Sequence, residues 1–597
     1  MCGIFGHVGS RQIQAANMTH TALCELEYRG YDSWGIATQT TDGIFIKKAV
    51  GKVSDVAKDE FLNVLGKITI GHSRWATHGG VTELNSHPHL NHDGTIAVVH
   101  NGIVENHLEL KSFLMEKFGV LGKHLFVSET DTEVIPHLID YFMREGQTFA
   151  EAFVSAGKKI EGRYAIVAMR RGENYLMAMR DGSPLVVGRG DEGHYLASDV
   201  PAFLDYTRTV CYVGDRECVK LYHDRMYLSD LETGKTAFQH WSQVLWDKAS
   251  ATKEGYAHFM HKEIMEQPQA IDKALQQETE KLMRVASKMD AAKNLFFIGC
   301  GTAAKTAQLG ELYAARIGGK LTKAVVGSEF GTYERFLNDK SVIFAVSQSG
   351  ETADVLETLR LGHARGAEIL SLLNVVGSSV NRISKETLFI NTGPEIAVAS
   401  TKAATAQIAV LILIAYALKN NIEEGRTLMN DVVAKLREWV APKLSDDVLV
   451  IAKTLQHAND CYIIGRGLNA PIALEAAIKI QEVSYIHAEG FPGGELKHGP
   501  IALIRKNTPI IALVPNDETK RDMESSVTEL KSRGARIIGI GPENNSLFSE
   551  WIQTPDLGIA SPIASLIPIQ LLAYHLAVER SNNPDKPRNL AKSVTVR

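Results

Sequence analysis

Cysteine is scarce in this chain, and no two cysteines have the spacing of a metal-binding pair. Six are spread along the 597 residues: Cys2, Cys24, Cys211, Cys218, Cys300 and Cys461. Cys211 and Cys218 have six residues between them, whereas zinc-binding pairs have about two to four. We therefore expect reduced thiols and no structural metal.

The sequence also lacks a long apolar run, an apolar leader and an excess of one charge. The longest uninterrupted apolar run, IAVLILIAYAL (408–418), has 11 residues, and a bilayer-spanning helix needs about 20. The net charge is −5, with both signs mixed along the chain. We expect a cytoplasmic protein with no membrane or nucleic-acid partner and no cofactor.

The pattern of the chain changes near residue 240. Before it, short β-like runs separated by turn signals predict an α+β layered domain. Residues 241–285 are polar and helical and are interpreted as a linker with leading helices. After that, compact apolar strands alternate with helices, which is typical of βαβ units with a parallel sheet.

The βαβ pattern occurs twice. NLFFIGCGTAAKTA aligns with CYIIGRGLNAPIALEAA at an offset of 166, VIFAVSQ with IIALVPN at 167, and HARGAEIL with KSRGARII at 168. Three features at nearly one offset indicate two copies of one α/β domain. We place them at 286–430 and 431–585, followed by a tail at 586–597.

Both copies carry G-x-G-x-x-A between a strand and a helix, at Gly299 and Gly465. This resembles the dinucleotide fingerprint, but no acidic residue follows at the usual distance, so a tight strand-to-helix turn is favoured. SQSGETAD (347–354) is more specific, because its hydroxyls and backbone N–H groups at a helix start suit a phosphate. The alternative is a ligand-free N-cap cluster.

Charged residues in the second copy admit two interpretations. Glu475, Lys479 and Glu482 share one helix face. A solvated salt-bridge stripe is the commoner origin of this spacing. The glycine-rich loop GGELKHGP that follows carries Lys497 and His498 and favours proton transfer on a sugar phosphate.

The first domain contains candidates for nucleophilic chemistry. With Met1 removed, Cys2 would carry a thiol and an α-amine that can act as its base; Met-Cys by chance is the alternative. Asn101 and Gly102 in HNG are able to stabilise an oxyanion, although Asn-Gly also forms plain hairpin turns. Arg74 is suited to a carboxylate.

Together these stretches resemble the glutamine:fructose-6-phosphate aminotransferases (isomerising) over essentially the whole chain. The resemblance depends on MCGIFG, HSRWATHG, HNGIVEN, SETDTE, GCGT, SQSGETADV, ASTKA, GELKHGP and PRNLAKSVTV, among other motifs. It implies a class II glutamine amidotransferase domain at 1–240, with the αββα sandwich of N-terminal nucleophile hydrolases. The duplicated domains resemble SIS domains, with flavodoxin-like parallel sheets. The family also implies a homodimer.

The resemblance implies roles for residues in the first domain. Cys2 would attack glutamine and release ammonia, with Asn101 and Gly102 as the oxyanion hole. The other implied glutamine contacts are Arg29, Arg74, Thr77, His78 and Asp131. Trp75 resembles the gate of an internal ammonia channel.

In the SIS half, the resemblance implies a fructose 6-phosphate site. Lys592 would form a Schiff base with the opened sugar, Glu482 would move the proton between C1 and C2, and His498 of a neighbouring subunit would assist ring opening. The implied sugar-phosphate contacts are Thr302, Ser347, Gln348, Ser349, Thr352, Val398, Ser400, Lys479 and Ala591.

Three positions depart from the family pattern, and two other functions compete. Ala303 stands where the family has a serine beside the phosphate. Trp34 stands where it has a small residue, which predicts repacking near the glutamine pocket. The Gly-Gly pair of GGELKHGP stands where it has Ala-Gly.

Another class II amidotransferase would need a pyrophosphatase or acidic D-D-S loop, which we do not find. A phosphosugar sensor would need neither Cys2 nor a tail lysine.

Overall fold

The computed structural model describes residues 2–244 and 253–592. Within residues 2–244 two antiparallel sheets are built. Their strands are β1 (Gly3–Ile13), β2 (Ser33–Gln39), β3 (Ile44–Val50), β4 (Gly66–Arg74), β5 (His89–Leu90), β6 (Ile96–Val104), β7 (Gly162–Arg170), β8 (Leu176–Asp181), β9 (Val186–Gly190), β10 (Gly193–Ala197), β11 (Thr209–Tyr212), β12 (Glu217–Leu221), β13 (Met226–Asp230) and β14 (Trp241–Gln243).

The two sheets pack face to face and are covered by helices. One has the order β14-β11-β9-β10-β1-β4-β2-β3 and the other β13-β12-β8-β7-β6-β5. The helices are α1 (Ala15–Glu25), α2 (His107–Lys117), α3 (Val134–Arg144) and α4 (Phe149–Lys159). α1 packs on β1 and β4, whereas α3 contacts β6 and α4 contacts β8. This is the predicted αββα layering.

Strand β6 shows why the layers form. Ile96 and Val98 face the helices, while Ala97 and Val99 face the opposite sheet. Because successive side chains of a strand point to opposite faces, a strand that is buried on both sides has a continuous apolar sequence. IAVV at 96–99 meets that requirement.

Residues 253–592 contain three leading helices and then the two α/β domains. The leading helices are α5 (Phe259–Met265), α6 (Gln267–Ala274) and α7 (Thr279–Ala291). The first domain contains β15 (Asn294–Gly299), α8 (Thr302–Arg316), β16 (Lys323–Val326), β17 (Ser341–Val346), α9 (Ala353–Ala364), β18 (Glu368–Leu373), α10 (Ser379–Ile383), β19 (Glu386–Phe389), α11 (Lys402–Leu418) and α12 (Ile422–Trp439). The second contains α13 (Pro442–Leu455), β20 (Asp460–Gly465), α14 (Ala470–Ser484), β21 (His487–Pro492), β22 (Pro509–Leu513), α15 (Lys520–Lys531), β23 (Arg536–Gly541), β24 (Glu550–Gln553) and α16 (Ser561–Glu579).

The predicted duplication is confirmed by the two sheets. Both are parallel and five-stranded, with the orders β16-β15-β17-β18-β19 and β21-β20-β22-β23-β24. β15 ends at Gly299 and β20 at Gly465, the two glycines matched in the sequence. The next glycines, Gly301 and Gly467, have φ values of +56° and +55°, as a tight strand-to-helix turn requires.

Helices α11 and α16 lie in the core of this half. All residues of α11 are buried. By length and composition, one helix among the described residues, Gly558–Glu579, would suffice to cross a membrane, and 94% of its most apolar window is buried inside the protein. A core helix passes the same test. Sequence analysis did not single it out because Ser565, Pro568 and Gln570 interrupt its apolar run.

Trp34, one of the three departures, is fully buried in β2. Its ring meets those of Phe61 and His20 edge-on, with centroids 6.0 and 6.4 Å away. The larger side chain is therefore accommodated in the core between α1 and the eight-stranded sheet.

Candidate active sites

Cys2 precedes β1 and is held by groups from three other parts of the first domain; we call this the Cys2 site. The Trp75 N–H donates to Cys2 Sγ over 3.2 Å. The Cys2 carbonyl oxygen accepts from Arg29 Nε at 3.1 Å and from Asn101 Nδ2 at 3.0 Å. Burial raises the pKa of the Cys2 thiol, while the Trp75 N–H and the charges of Arg74 and Arg29 act in the opposite direction. A buried thiol needs a neighbouring base before it can attack.

The orientation of the Asn101 side chain is set by three hydrogen bonds. Its Nδ2 donates to Cys2 O and, over 2.8 Å, to Ser198 Oγ. Its Oδ1 lies 3.0 Å from His72 Nε2, which therefore donates. Gly102 follows with φ +120°. The hairpin-turn alternative for HNG is wrong, because Asn101 and Gly102 lie inside strand β6.

The other predicted glutamine contacts surround this strand end. Arg74 is buried and donates to the carbonyl oxygens of His78 and Gly80. Asp131, also buried, accepts from the Val104 N–H over 2.7 Å. The loop residue Thr77 is exposed.

Aromatic contacts hold two further predicted residues of this domain. The half-buried His78 ring meets His107 edge-on at 5.6 Å. The Trp75 ring meets Tyr31 edge-on at 5.5 Å. The structure thus brings Trp75 to Cys2 through its backbone and to Tyr31 through its side chain.

A cluster of buried histidines behind Asn101 was missed by sequence analysis. His72 and His87 stack with ring centroids 4.0 Å apart, and His87 Nδ1 accepts from the His100 N–H. His89 Nε2 lies 3.1 Å from Thr130 Oγ1. Burial lowers the pKa of all four rings, that of His72 to about 3. These histidines lie in the stretches GHSRW, HPH and VVHNG, and the sequence alone assigned none of the four a role.

A cavity lies at the carboxyl ends of the strands in the first α/β domain; we call it the Lys592 pocket. Its cavity volume is about 140 Å³. Ten predicted residues line it, namely Thr302, Ser347, Gln348, Ser349, Thr352, Val398, Ser400, Lys479, Glu482 and Lys592. Cys300 and Gln407 also line it and were not predicted to do so.

The loop 347–352 forms one wall of the pocket, between the end of β17 and the start of α9. The Gly350 N–H donates to Ser347 Oγ over 3.0 Å, and the Glu351 N–H to Ser349 Oγ over 3.2 Å. Gly350 has φ +65°, which lets the loop turn into the helix. The loop and helix N-terminus together offer hydroxyl and N–H donors to an anion.

Helix α14 presents the charged side chains of Lys479 and Glu482 to the same pocket. Lys479 and Glu475 are each 1% exposed with Nζ and Oε1 3.4 Å apart, and Lys479 also contacts Glu482. The solvated-stripe interpretation is therefore wrong. Burial raises the pKa of Glu475 to about 7, against Lys479. Burial disfavours the Lys479 charge, but Glu482 and Glu475 outweigh it and raise the pKa of Lys479.

Lys592 enters the pocket from the chain segment after α16. Its Nζ lies 2.6 Å from Glu395 Oε2 and donates to the Ala397 carbonyl over 2.7 Å. Ser400 Oγ donates to the same Glu395 oxygen over 3.1 Å. Glu395 was not predicted, because no chemical motif marks it in GPEIAVASTK. Ala591 is half-buried and is not among the lining residues.

His498 is the one predicted catalytic residue of this half that the described chain does not bring to the pocket. It lies in the short helix Leu496–His498, is exposed, and is absent from the pocket lining. Across residues 2–244 and 253–592, no group of three or more His, Cys, Asp or Glu side chains is placed to hold a metal ion.

Family models match both halves of the chain. A glutamine amidotransferase domain matches residues 72–205, and an SIS domain matches 288–417 and again 454–580. The first covers Arg74, Asn101 and Asp131 of the Cys2 site. The second covers the strands and helices that form the Lys592 pocket.

Full-length relatives and a solved structure agree with these matches. The glutamine–fructose-6-phosphate aminotransferases (isomerising) of Pyrococcus horikoshii and Thermus thermophilus are 41% and 40% identical, each covering 100% of both chains. The C-terminal domain of glucosamine-fructose-6-phosphate aminotransferase from Francisella tularensis is 33% identical over 56% of this chain and 99% of that domain, with a TM-score of 0.52. The chain therefore belongs to the family of isomerising glutamine–fructose-6-phosphate aminotransferases.

Proposed function

We propose that the protein converts D-fructose 6-phosphate and glutamine to D-glucosamine 6-phosphate and glutamate. The observation that carries this proposal is the composition of the Lys592 pocket. The loop 347–352, the Lys592 amine and the Glu482 carboxylate line one cavity. A chain of this family with such a pocket also needs a source of ammonia, and the Cys2 site supplies one.

In the first half, the mature chain begins at Cys2 and its α-amine acts as the base. The thiol attacks the carboxamide carbon of glutamine, the C–N bond breaks, and ammonia leaves with a proton from the α-amine. Water then hydrolyses the thioester to glutamate. Asn101 Nδ2 and the Gly102 N–H stabilise the oxyanion, for which Asn101 must give up its bond to the Cys2 carbonyl. Arg74 and Asp131 hold the glutamine carboxylate and amine, with Arg29, Thr77 and His78 around them.

In the second half, the phosphate binds to the loop 347–352 and to Thr302, with Val398, Ser400, Lys479 and Ala591 at the sugar. Lys592 forms a Schiff base at C2, and Glu482 moves the proton between C1 and C2. His498, which is exposed, assists ring opening from a neighbouring copy in a homodimer. Ammonia travels inside the protein past Trp75, because ammonium formed in water is not a nucleophile.

The remaining assignments extend the proposal to the whole chain. The amidotransferase domain spans 1–240, the linker 241–285, the SIS domains 286–430 and 431–585, and the tail 586–597. Met1 and residues 593–597 lie outside the described residues. The protein acts in the cytoplasm on small molecules and needs no cofactor, nucleic acid or membrane.

The deciding experiment supplies both substrates and measures glucosamine 6-phosphate. We expect product only when glutamine and fructose 6-phosphate are both present. Cys2→Ala should abolish glutamine hydrolysis yet keep conversion of fructose 6-phosphate to glucose 6-phosphate. Lys592→Ala should lose synthesis and keep glutamine hydrolysis. A wild-type protein that makes no product from both substrates would exclude the proposal.

A further inference from the structure

One buried carboxylate pairs with Lys592 and a second binds the chain segment beside it, and the reaction outlined above gives neither of them a role. Glu395 lies 2.6 Å from Lys592 Nζ with its side chain fully buried. Glu263, on α5, is 2% exposed and accepts a hydrogen bond from the Ile396 N–H, the residue that follows Glu395. Burying two carboxylates beside one lysine is costly unless hydrogen bonds and charge compensate it.

Glu395 is fixed in place by the backbone that follows it. Its Oε1 accepts from the Thr401 N–H over 2.8 Å and from the Ala403 N–H over 3.0 Å, where α11 begins. Its Oε2 accepts from Ser400 Oγ and Lys592 Nζ. Burial opposes the charge, but Lys592 and these N–H groups outweigh it and lower the pKa of Glu395. The Glu395 carboxylate is therefore a fixed anion, and Lys592 Nζ is positioned against it.

Glu263 is held differently. Its Oε1 accepts from the Ile396 N–H over 2.6 Å and the Ala397 N–H over 3.2 Å, while its Oε2 has no hydrogen-bond partner in the described chain. Burial raises the pKa of Glu263 to about 8, against the Lys592 charge. The raised pKa favours the protonated form of Glu263 at neutral pH, so that Glu395 is the anion of the trio formed by Lys592, Glu395 and Glu263.

The charges around the trio leave Glu395 as the nearest proton acceptor for Lys592. Lys402 is paired with Glu266 at 2.8 Å. Lys479 lies between Glu475 and Glu482 on α14. A lysine must lose its proton before its nitrogen can attack a carbonyl carbon, and the Glu395 oxygen at 2.6 Å is already within transfer distance.

We propose that Glu395 is the positioning residue of Lys592: it orients the amine and takes its proton before Schiff-base formation. This inference depends on the proposed function. The ammonium proton moves to Glu395, and the neutral amine adds to C2 of the opened ketose. The carbinolamine hydroxyl then takes the proton back and leaves as water. The protonated imine forms and Glu395 becomes an anion again, so protons balance over the step.

The test measures the Lys592 adduct directly. Full-length protein is incubated with fructose 6-phosphate and cyanoborohydride, and the reduced adduct on Lys592 is quantified by peptide mass spectrometry. For Glu395→Gln at pH 7 we expect the trapping rate to fall on the order of 100-fold, the usual contribution of a positioned proton acceptor. Affinity for D-glucitol 6-phosphate, which has no carbonyl group, should be unchanged, since the phosphate loop is untouched.

Glu263→Gln is the matched control, because glutamine reproduces a neutral carboxyl group at a site on the same segment. At pH 7 it should trap at the wild-type rate. Above about pH 8 the wild-type rate should fall relative to Glu263→Gln, since ionised Glu263 would add a second anion that keeps Lys592 protonated. Glu395→Asp keeps a carboxylate and should recover part of the lost rate.

Three results would overturn the inference. They are trapping by Glu395→Gln at the wild-type rate, a loss of trapping matched by an equal loss of glucitol 6-phosphate binding, and a Glu395→Asp variant no better than Glu395→Gln. The latter two would assign Glu395 to pocket shape alone. If wild-type protein forms no adduct at all, the proposed function itself fails, which is a different outcome.

Discussion

At Gly102 a side chain would have no room. A Cβ there would lie 1.9 Å from the Arg163 carbonyl oxygen on β7, and φ is +120°. Glycine alone permits both the backbone angle and the close approach of the neighbouring strand. The N–H that we assign to the oxyanion hole is therefore positioned by the pairing of β6 with β7.

Gly102→Ala should lower glutamine hydrolysis by about 100-fold or more, as expected when an oxyanion donor is displaced. Gly94→Ala is the matched control, because Gly94 also has a positive φ of +66° but open space around its Cα. It should cost about 1 kcal/mol of stability and keep activity. Steady-state glutaminase assays with thermal melts compare the two; equal activities would contradict the steric argument.

Helix α14 combines an apolar core face with a buried charge row. Ala473, Ile480 and Val483 pack in the core of this half, while Lys479 lies between two carboxylates. The Glu475 Oε1 also accepts from Thr302 Oγ1 at 2.9 Å, which links α14 to the start of α8. The charge row thus joins the two α/β domains at the pocket.

Lys479→Met should destabilise this half by about 3 kcal/mol or more, because it leaves Glu475 buried without its cation. Glu475→Gln combined with Lys479→Met should recover part of that loss, since the fully buried carboxylate is then neutral and only the partly exposed Glu482 is left without its lysine. Hydrogen exchange of amides in Ala470–Ser484, followed by mass spectrometry, reports the change locally. A double variant as unstable as the single one would show that packing, rather than charge, sets the cost.

The first domain, residues 2–244, contains a set of buried histidines whose pKa values are lowered. Burial lowers the pKa of His72 to about 3 and of His7 and His137 to about 4. These rings bind a proton near pH 6.5 only when unfolded. Because the unfolded state binds more protons below that pH, stability is lost as pH falls from about 6.5 towards 4.

The stability of residues 2–244 should therefore fall as the pH is lowered from about 6.5 towards 4, with a limiting slope of about 1.4 kcal/mol per pH unit for each such histidine. His137→Gln should reduce that slope, whereas His124→Gln, at an exposed position, should leave it unchanged. Urea unfolding followed by hydrogen exchange in α3 measures both. An unchanged slope in His137→Gln would contradict the assignment.

Local patterns were sufficient for the folds. Strand alternation and the glycines Gly299 and Gly465 are short-range features. The chain repeats them at a nearly constant offset of 166 to 168 residues, so the two parallel sheets were predictable. The loop 347–352 lies between a strand and a helix and residues 470–484 form a helix, as their sequences indicate, while phosphate binding by the loop stays a prediction. The solvated-stripe alternative for α14 was settled only by burial, because residues at i and i+4 share a face whether that face contacts water or protein.

The sequence by itself determined the layered first domain, the duplicated second half and most of the residues that line the Lys592 pocket. Only the tertiary structure decided which distant groups meet. Glu395 pairs with Lys592 from 197 positions away, and His72 orients Asn101 from the neighbouring sheet. No local pattern encodes such contacts, because they arise when separate elements pack together and buried charges must find partners.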